Sequence, residues 1–402
     1  MIPPMRLALI ADTFPPLRTS GAVQLRDLSR EFVRQGHELT VLLPSHELDR
    51  PWQLDEVDGI NVLRLKAPQT KDIGYVRRTL GEFLMPFAMR RNLRKSALAA
   101  VKWDGVVWYA PSIFHGPLAR TLKSESGSRG YLIIRDIFPE WAVDMGLMRR
   151  GGPTYRFFDA VARYQYSVAD VIGVQTSGNL AYFDHWKRAP GRRLEVLQNW
   201  LDKPADRRAT IRIDETPLAG RRVFVYAGNM GVAQGMDVIL ELAASLKHRE
   251  DIGFLFVGRG SDAKRLADQA TQRELSNVVF RDEVHPDEIP DLYSQCDVGI
   301  VALDHRHKSH NIPGKFLTYM QSGLPVLANV NAGNDLARLV RNEKVGLACE
   351  SNDVQALREM AQMLLRQIDA DTGMSARCRE LFAREFSAAQ AVRQIVQGLS
   401  NK

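Results

Sequence analysis

Within six positions the chain places His305, Arg306, His307, Lys308 and His310, then runs through Asn311-Ile312-Pro313-Gly314-Lys315 into a short helical pattern, Phe316–Gln321, that contains Thr318. Cations and protonatable rings ahead of a helix start suit a diphosphate. The helix N-terminus offers free amides and a positive dipole end, and Lys315 in its first turn adds a point charge. The same residues also fit a basic surface loop, or a metal held by His305, His307 and His310, although no carboxylate or cysteine cluster adjoins those imidazoles. Asp369 and Asp371 form a DxD, the pattern that holds a metal-nucleotide in some transferases. They fall between two late helical patterns instead of after a strand, and so read as surface.

Two glycine-bearing turns precede that segment. The apolar run Val223–Tyr226 leads into Ala227-Gly228-Asn229-Met230-Gly231, then Gly235 and a helix starting near Met236. Glycines at a strand-to-helix turn let backbone amides approach a phosphate. The next run ends in Val257-Gly258-Arg259-Gly260-Ser261-Asp262-Ala263, which formally fits GxGxxA and makes a dinucleotide site the first alternative. That fingerprint belongs on the first turn of a domain, whereas this turn is the second of its half, and Asp282-Glu283 can equally line a nucleotide ribose or base. In the first half, Gly21 sits in a turn ahead of a helix. Tyr109 ends one strand pattern, and Asp136 and Glu140 follow another, where they could orient an acceptor or a sugar; a helix cap is the plain alternative for Asp136.

These residues need two parallel sheets to hold them. Strand patterns fall at Arg6–Ala11, Glu38–Leu43, Ile60–Leu65, Val106–Trp108, Tyr131–Ile134, Val171–Val174 and Leu194–Leu197, then at Val223–Tyr226, Gly253–Val257, Val278–Phe280, Val298–Val301, Pro325–Ala328 and Val345–Ala348, with helical patterns between them. Ligands of such sheets bind outside the strands' carboxyl ends, so two successive domains facing each other would make a cleft with one ligand on each wall. The polar, proline-bearing stretch from Asp202 to Pro217 reads as the linker, giving domains at 1–202 and 220–385 around 203–219. Three late helical patterns cover Val354–Ile368, Met374–Phe386 and Ala388–Leu399.

The 402 residues, 45% apolar and 25% charged, describe a globular chain with room for two cores. The three cysteines, Cys296, Cys349 and Cys378, have no CxxC pairing. No run is long and apolar enough for a signal peptide or a membrane span, so a cytoplasmic protein is expected. The formal charge is +7, and part of the excess (Arg77, Arg78, Arg90, Arg91, Arg94, Lys95, Lys102) flanks the apolar Phe83–Met89. Such a segment, 75–102, either lies on an anionic membrane surface or is a solvated helix face. No aromatic-interleaved basic module points to nucleic acid.

Taken together, Tyr226-Ala-Gly-Asn-Met-Gly, Phe256-Val-Gly-Arg-Gly, Val279-Phe-Arg-Asp-Glu-Val, Leu292-Tyr-Ser-Gln-Cys-Asp-Val, Pro313-Gly-Lys and Tyr319-Met-Gln-Ser-Gly-Leu-Pro-Val resemble the family 4 (group 1) retaining glycosyltransferases of GT-B fold. The Gly21 loop resembles that family's first loop. Arg135-Asp-Ile-Phe-Pro-Glu-Trp and Gln198-Asn-Trp-Leu-Asp resemble its N-acetyl-L-fucosaminyltransferase-like subgroup of lipopolysaccharide and O-antigen synthesis. The resemblance implies two Rossmann-like domains across a cleft, with a saccharide or polyprenyl-diphosphate-linked acceptor held by the first. A nucleotide-diphosphate sugar would be held by the second, and a last helix, 386–402, would cross back.

It also implies transfer with retention and no metal, with Lys315, the Gly21 loop and helix amides meeting the leaving group's charge, while the basic segment 75–102 suggests a lipid-attached acceptor and a peripheral place on the inner face of the cytoplasmic membrane. Donor contacts would fall at Gly228, Asn229, Gly258, Arg259, Glu283 and the 310–318 stretch. Two departures stand out: His310 and Thr318 occupy the places of two family glutamates, and Asn229 and Gln234 those of an arginine and a lysine. A nucleotide-sugar 2-epimerase of the same fold and a non-catalytic sugar-binding protein are the competing functions.

Overall fold

The computed structural model describes residues 3–17, 19–71, 73–203, 206–304 and 312–400. They form two compact units, Met1–Asp202 with Ala388–Lys402, and Lys203–Ser387.

The first unit is built on β1 (Arg6–Ile10), β2 (Glu38–Ser45), β3 (Trp52–Val57), β4 (Ile60–Lys66), β5 (Gly105–Tyr109), β6 (Arg129–Ile133), β7 (Val171–Val174) and β8 (Arg193–Val196). Their order is β3-β4-β2-β1-β5-β6-β7-β8. All neighbours run parallel except β3, which pairs antiparallel with β4. The central strands are buried along their length because helices cover both faces, so they read as continuous apolar runs. In β3 the sequence Trp-Gln-Leu-Asp-Glu-Val mixes polar and apolar residues, as a half-solvated edge strand does, and it has no counterpart among the expected strands.

The last helix, Ala388–Ser400, belongs to this unit. Val392, Ile395 and Leu399 are buried in one cluster with Leu25, Leu28 and Phe32 of helix Ser20–Arg34. Gln394 fixes its position by donating to Glu195 at 2.9 Å and to the Val196 carbonyl at 2.8 Å.

The second unit contains β9 (Arg222–Ala227), β10 (Ile252–Val257), β11 (Val278–Arg281), β12 (Val298–Ala302), β13 (Val326–Asn329) and β14 (Gly346–Cys349), all parallel, in the order β11-β10-β9-β12-β13-β14. Much of the expected linker, residues 203–219, groups with this unit. Ala209, Ile211 and Ile213 are buried, and the Asp291, Glu288 and Gln295 side chains accept from the amides of Ala209, Thr210 and Ile213. The pattern expected as one helix over Met374–Phe386 is α-helical to Leu381 and then widens into a π turn, Phe382–Phe386.

Candidate functional site

In the second unit the chemistry gathers at the carboxyl ends of β9, β10 and β12. Helix Gly314–Ser322 starts from the N-cap Pro313, with Ile312 buried just before it. Tyr319 anchors that helix: its fully buried hydroxyl lies 3.1 Å from both the Val225 and Ile300 carbonyls. Its ring occupies the space a side chain at position 299 would need, which is why β12 carries Gly299. So held, the helix delivers Lys315 to the end of β9. The ammonium donates to the Tyr226 hydroxyl at 2.8 Å and lies 4.1 Å from the centre of the Tyr226 ring. Tyr226 in turn donates to the Asn229 carbonyl. No carboxylate pairs with Lys315 among the described residues, and burial pulls its pKa down to about 8.

Gly228 is glycine for its backbone, whose φ of 138 an L side chain rarely adopts; a β-carbon there would meet Nζ at 3.6 Å, an ordinary contact. Gly258 and Gly260 have a further reason to be glycine. A β-carbon on Gly258 would lie 2.2 Å from the Gly228 carbonyl oxygen, and one on Gly260 2.2 Å from that of Met230. The turns after β9 and β10 pack backbone to backbone, tied by Met230 N to the Arg259 carbonyl at 2.8 Å and Asp262 N to the Met230 carbonyl at 3.0 Å. The GxGxxA spacing is thus accounted for by close packing of two turns.

Asn229 and Gln234 hydrogen-bond each other at 3.0 Å and close the first turn. Arg259 pairs with Glu283 at 3.0 Å, both exposed. Thr318 is one turn beyond Lys315, its hydroxyl 3.4 Å from the Gly314 carbonyl. His310 and Asn311, with the rest of 305–311, lie outside the described residues. Among the described residues no cluster of His, Cys, Asp or Glu is placed to hold a metal. Asp369 and Asp371 are taken up in ion pairs with Arg222 and Arg377.

In the first unit, Thr19 caps helix Ser20–Arg34. Gly21 lies in its first turn, where a β-carbon would be 3.3 Å from Thr13 and 3.6 Å from the Tyr109 ring and hydroxyl. Tyr109 is buried and donates to Gln24 at 3.0 Å. Arg135, also buried, stacks its guanidinium 4.5 Å from the centre of the Trp200 ring and donates to the Leu197 carbonyl at 2.9 Å, while Trp200 donates to the Gln24 carbonyl at 2.7 Å.

Asp136 follows on the exposed side. Its carboxylate makes no hydrogen bond among the described residues, and desolvation raises its pKa against the pull of Arg135. Glu140 is different: Tyr155 donates to one oxygen at 2.6 Å and Arg150 to the other. With both oxygens engaged it ties the start of its own helix to Tyr155 of helix Pro153–Val168 and to Arg150. The structure therefore groups Gly21, Tyr109 and Asp136 in one unit and Gly228, Gly258 and Lys315 in the other. Tyr226, Gln24 and Trp200 were not singled out as functional positions from sequence, since their partners lie far along the chain.

Comparison with known proteins places the two halves separately. Residues 20–200 match the glycosyl transferase 4-like domain and residues 221–367 match glycosyl transferases group 1. WcaI of Escherichia coli K12, by name a colanic acid biosynthesis glycosyl transferase, is 23% identical over 384 residues, covering 88% of this chain and 90% of its own length. WbjE of Pseudomonas aeruginosa, by name a glycosyltransferase, is 26% identical over 243 residues, spanning 60% of each chain. Among solved structures, HepE of Anabaena in complex with UDP superposes with a TM-score of 0.64 at 16% identity, covering 98% of this chain and all of that one.

Proposed function

Since the chain is a GT-B protein whose first half belongs to the glycosyl transferase 4-like domain and whose second belongs to glycosyl transferases group 1, we propose that it moves a sugar with retention from a nucleotide-diphosphate donor to a saccharide or lipid-linked saccharide. The sugar class we assign is an acetamido-deoxyhexose, and the setting is lipopolysaccharide or exopolysaccharide synthesis, in keeping with the subgroup resemblance of Arg135–Trp141 and with the name of WcaI.

The observation that carries this reading is Lys315, an ammonium without a carboxylate partner among the described residues, held at the start of a helix beside the open backbone of Gly228. A diphosphate there gains a point charge, helix amides and the amides of the Gly228 turn. Arg259, Glu283 and Thr318 would border the nucleotide. In the reaction the bond from the anomeric carbon to the diphosphate oxygen breaks and the acceptor oxygen bonds to that carbon on the same face. The acceptor proton passes to the departing phosphate oxygen. Lys315 and the amides stabilise the charge that develops on the leaving group, so the chemistry requires no bound metal. Asp136 would orient the acceptor; we assign Tyr109 and Glu140 to positioning.

The test is nucleoside diphosphate release from a panel of nucleotide sugars, with and without a saccharide acceptor and with a chelator present. Acceptor-dependent release that survives the chelator is expected. Turnover of the donor to an isomer without acceptor would favour the epimerase, and no turnover of any donor would favour the binding protein.

A further inference from the structure

Helix Tyr75–Leu93 is apolar on both faces. Met85, Met89 and Leu93 enter the core of the first unit. On the other side Tyr75 and Val76 are 87% and 84% exposed, and Leu80, Phe83, Leu84 and Phe87 are exposed with them. Exposed apolar side chains gathered in this way, among arginines, mark an interaction surface.

The exposed face does not end with the helix. Phe83 contacts Phe87 at 6.0 Å and Phe157 of helix Pro153–Val168 at 6.2 Å. Ring contacts then run from Phe157 to Phe158 at 5.2 Å, to Phe138 at 5.1 Å and to Trp141 at 5.8 Å. Just beyond Trp141 the turn after helix Glu140–Asp144 presents Met145 and Leu147, 68% and 72% exposed. Helix Tyr75–Leu93, the 138–147 segment and helix Pro153–Val168 thus share one apolar strip, joined through the half-buried Phe138 and Phe158, and it holds most of the exposed large apolar side chains among the described residues. Around it Arg77, Arg91, Lys95, Arg149 and Arg156 are exposed and form no ion pair among the described residues, while Asp144 is the one unpaired acid of these segments.

We propose that this strip docks on a membrane surface carrying anionic lipids, lying on the bilayer and not crossing it. Aromatic, leucine and methionine side chains enter the headgroup boundary while the flanking guanidinium and ammonium groups meet lipid phosphates. No helix among the described residues is long and apolar enough to span. The charge of the rim selects a bilayer over a second copy of the same cationic face, which would repel itself. The inference goes beyond sugar transfer and stands whether or not the acceptor is lipid-linked.

Flotation of the full chain with vesicles of phosphatidylcholine, with and without phosphatidylglycerol, tests it. Binding to the anionic vesicles that weakens as salt is raised is expected. The triple variant Tyr75→Ser/Val76→Ser/Leu80→Ser should lose about 10-fold or more in vesicle affinity, since each buried apolar side chain contributes on the order of 1 kcal/mol or more. Met145→Ser/Leu147→Ser should also lose severalfold, although it leaves the basic helix untouched. Because all five side chains are solvent-exposed, both variants should keep the wild-type melting temperature and its turnover of a water-soluble acceptor. A wild-type protein that floats with neither vesicle overturns the proposal, as does a Met145→Ser/Leu147→Ser variant that binds like wild type. A salt-insensitive dimer that the triple variant dissociates, without flotation, would show a second copy as the occupant and also overturn it.

Discussion

The Lys315 ammonium lies 2.8 Å from the Tyr226 hydroxyl and 4.1 Å from the centre of its ring, a cation held by an aromatic instead of a carboxylate. A carboxylate there would neutralise the lysine and compete with an incoming phosphate. A tyrosine fixes its position and leaves its charge available.

That arrangement makes donor binding pH-dependent. Burial lowers the Lys315 pKa to about 8, so the ammonium is present below that pH and lost above it. An anionic donor binds the charged form, so its dissociation constant should rise as pH passes 8, by up to about tenfold per unit. Calorimetric titration of a nucleoside diphosphate across pH 7 to 10 should show this together with proton uptake at the alkaline end; an affinity flat over that range contradicts it.

Tyr226→Phe keeps the ring and deletes the hydroxyl that joins Lys315 to the Asn229 carbonyl. The fold should lose only about 1 kcal/mol, the usual net worth of a hydrogen bond. The value of kcat should fall at least as much as donor KM rises, because the lysine this hydroxyl holds stabilises the charge that develops on the leaving group. Steady-state kinetics with a melting curve separates the two effects.

Gly258→Ala drives a β-carbon to within 2.2 Å of the Gly228 carbonyl and imposes φ 135 on an L side chain. Overpacking and strain together should cost about 2–4 kcal/mol. The melting temperature should drop and nucleotide binding should fall with it. A nicotinamide dinucleotide should bind neither form, and saturable binding of it to the wild type would revive the dinucleotide-site alternative.

The two carboxylates of the 136–140 segment should behave differently. Asp136→Asn removes a carboxylate with no hydrogen bond among the described residues, and should lower kcat about 100-fold, at the low end of acid–base and orienting contributions. Glu140→Gln loosens the contacts from Tyr155 and Arg150 and should change stability by about 1 kcal/mol with kcat nearly intact. The reverse pattern would exchange their roles.

Much of this was legible in the sequence because parallel strands covered on both faces leave continuous apolar runs, such as Val171–Val174 and Val298–Ala302. The antiparallel edge Trp52–Val57 was not, since Gln53, Asp55 and Glu56 interrupt its apolar residues. Lys315 could be picked out by its place after a strand and at a helix start. Its partner could not, for Tyr226 lies 89 positions away and looks like one more apolar strand residue. The contacts that Tyr155 and Arg150 make with Glu140 could not be read from the sequence, because they depend on how the chain folds back. Gly258 and Gly260 imitated a dinucleotide turn because close backbone approach demands glycine whether the neighbour is a phosphate or another loop.

The central claim is that a nucleotide-diphosphate sugar sits on Lys315. Thermal melting of wild type and Lys315→Ala, each with UDP-, GDP- and dTDP-sugars, tests it most directly. The wild type should be stabilised by at least one donor, and the variant, melting normally on its own, should lose most of that shift. A wild type that no nucleotide sugar stabilises, or a variant stabilised as strongly as the wild type, would contradict the account.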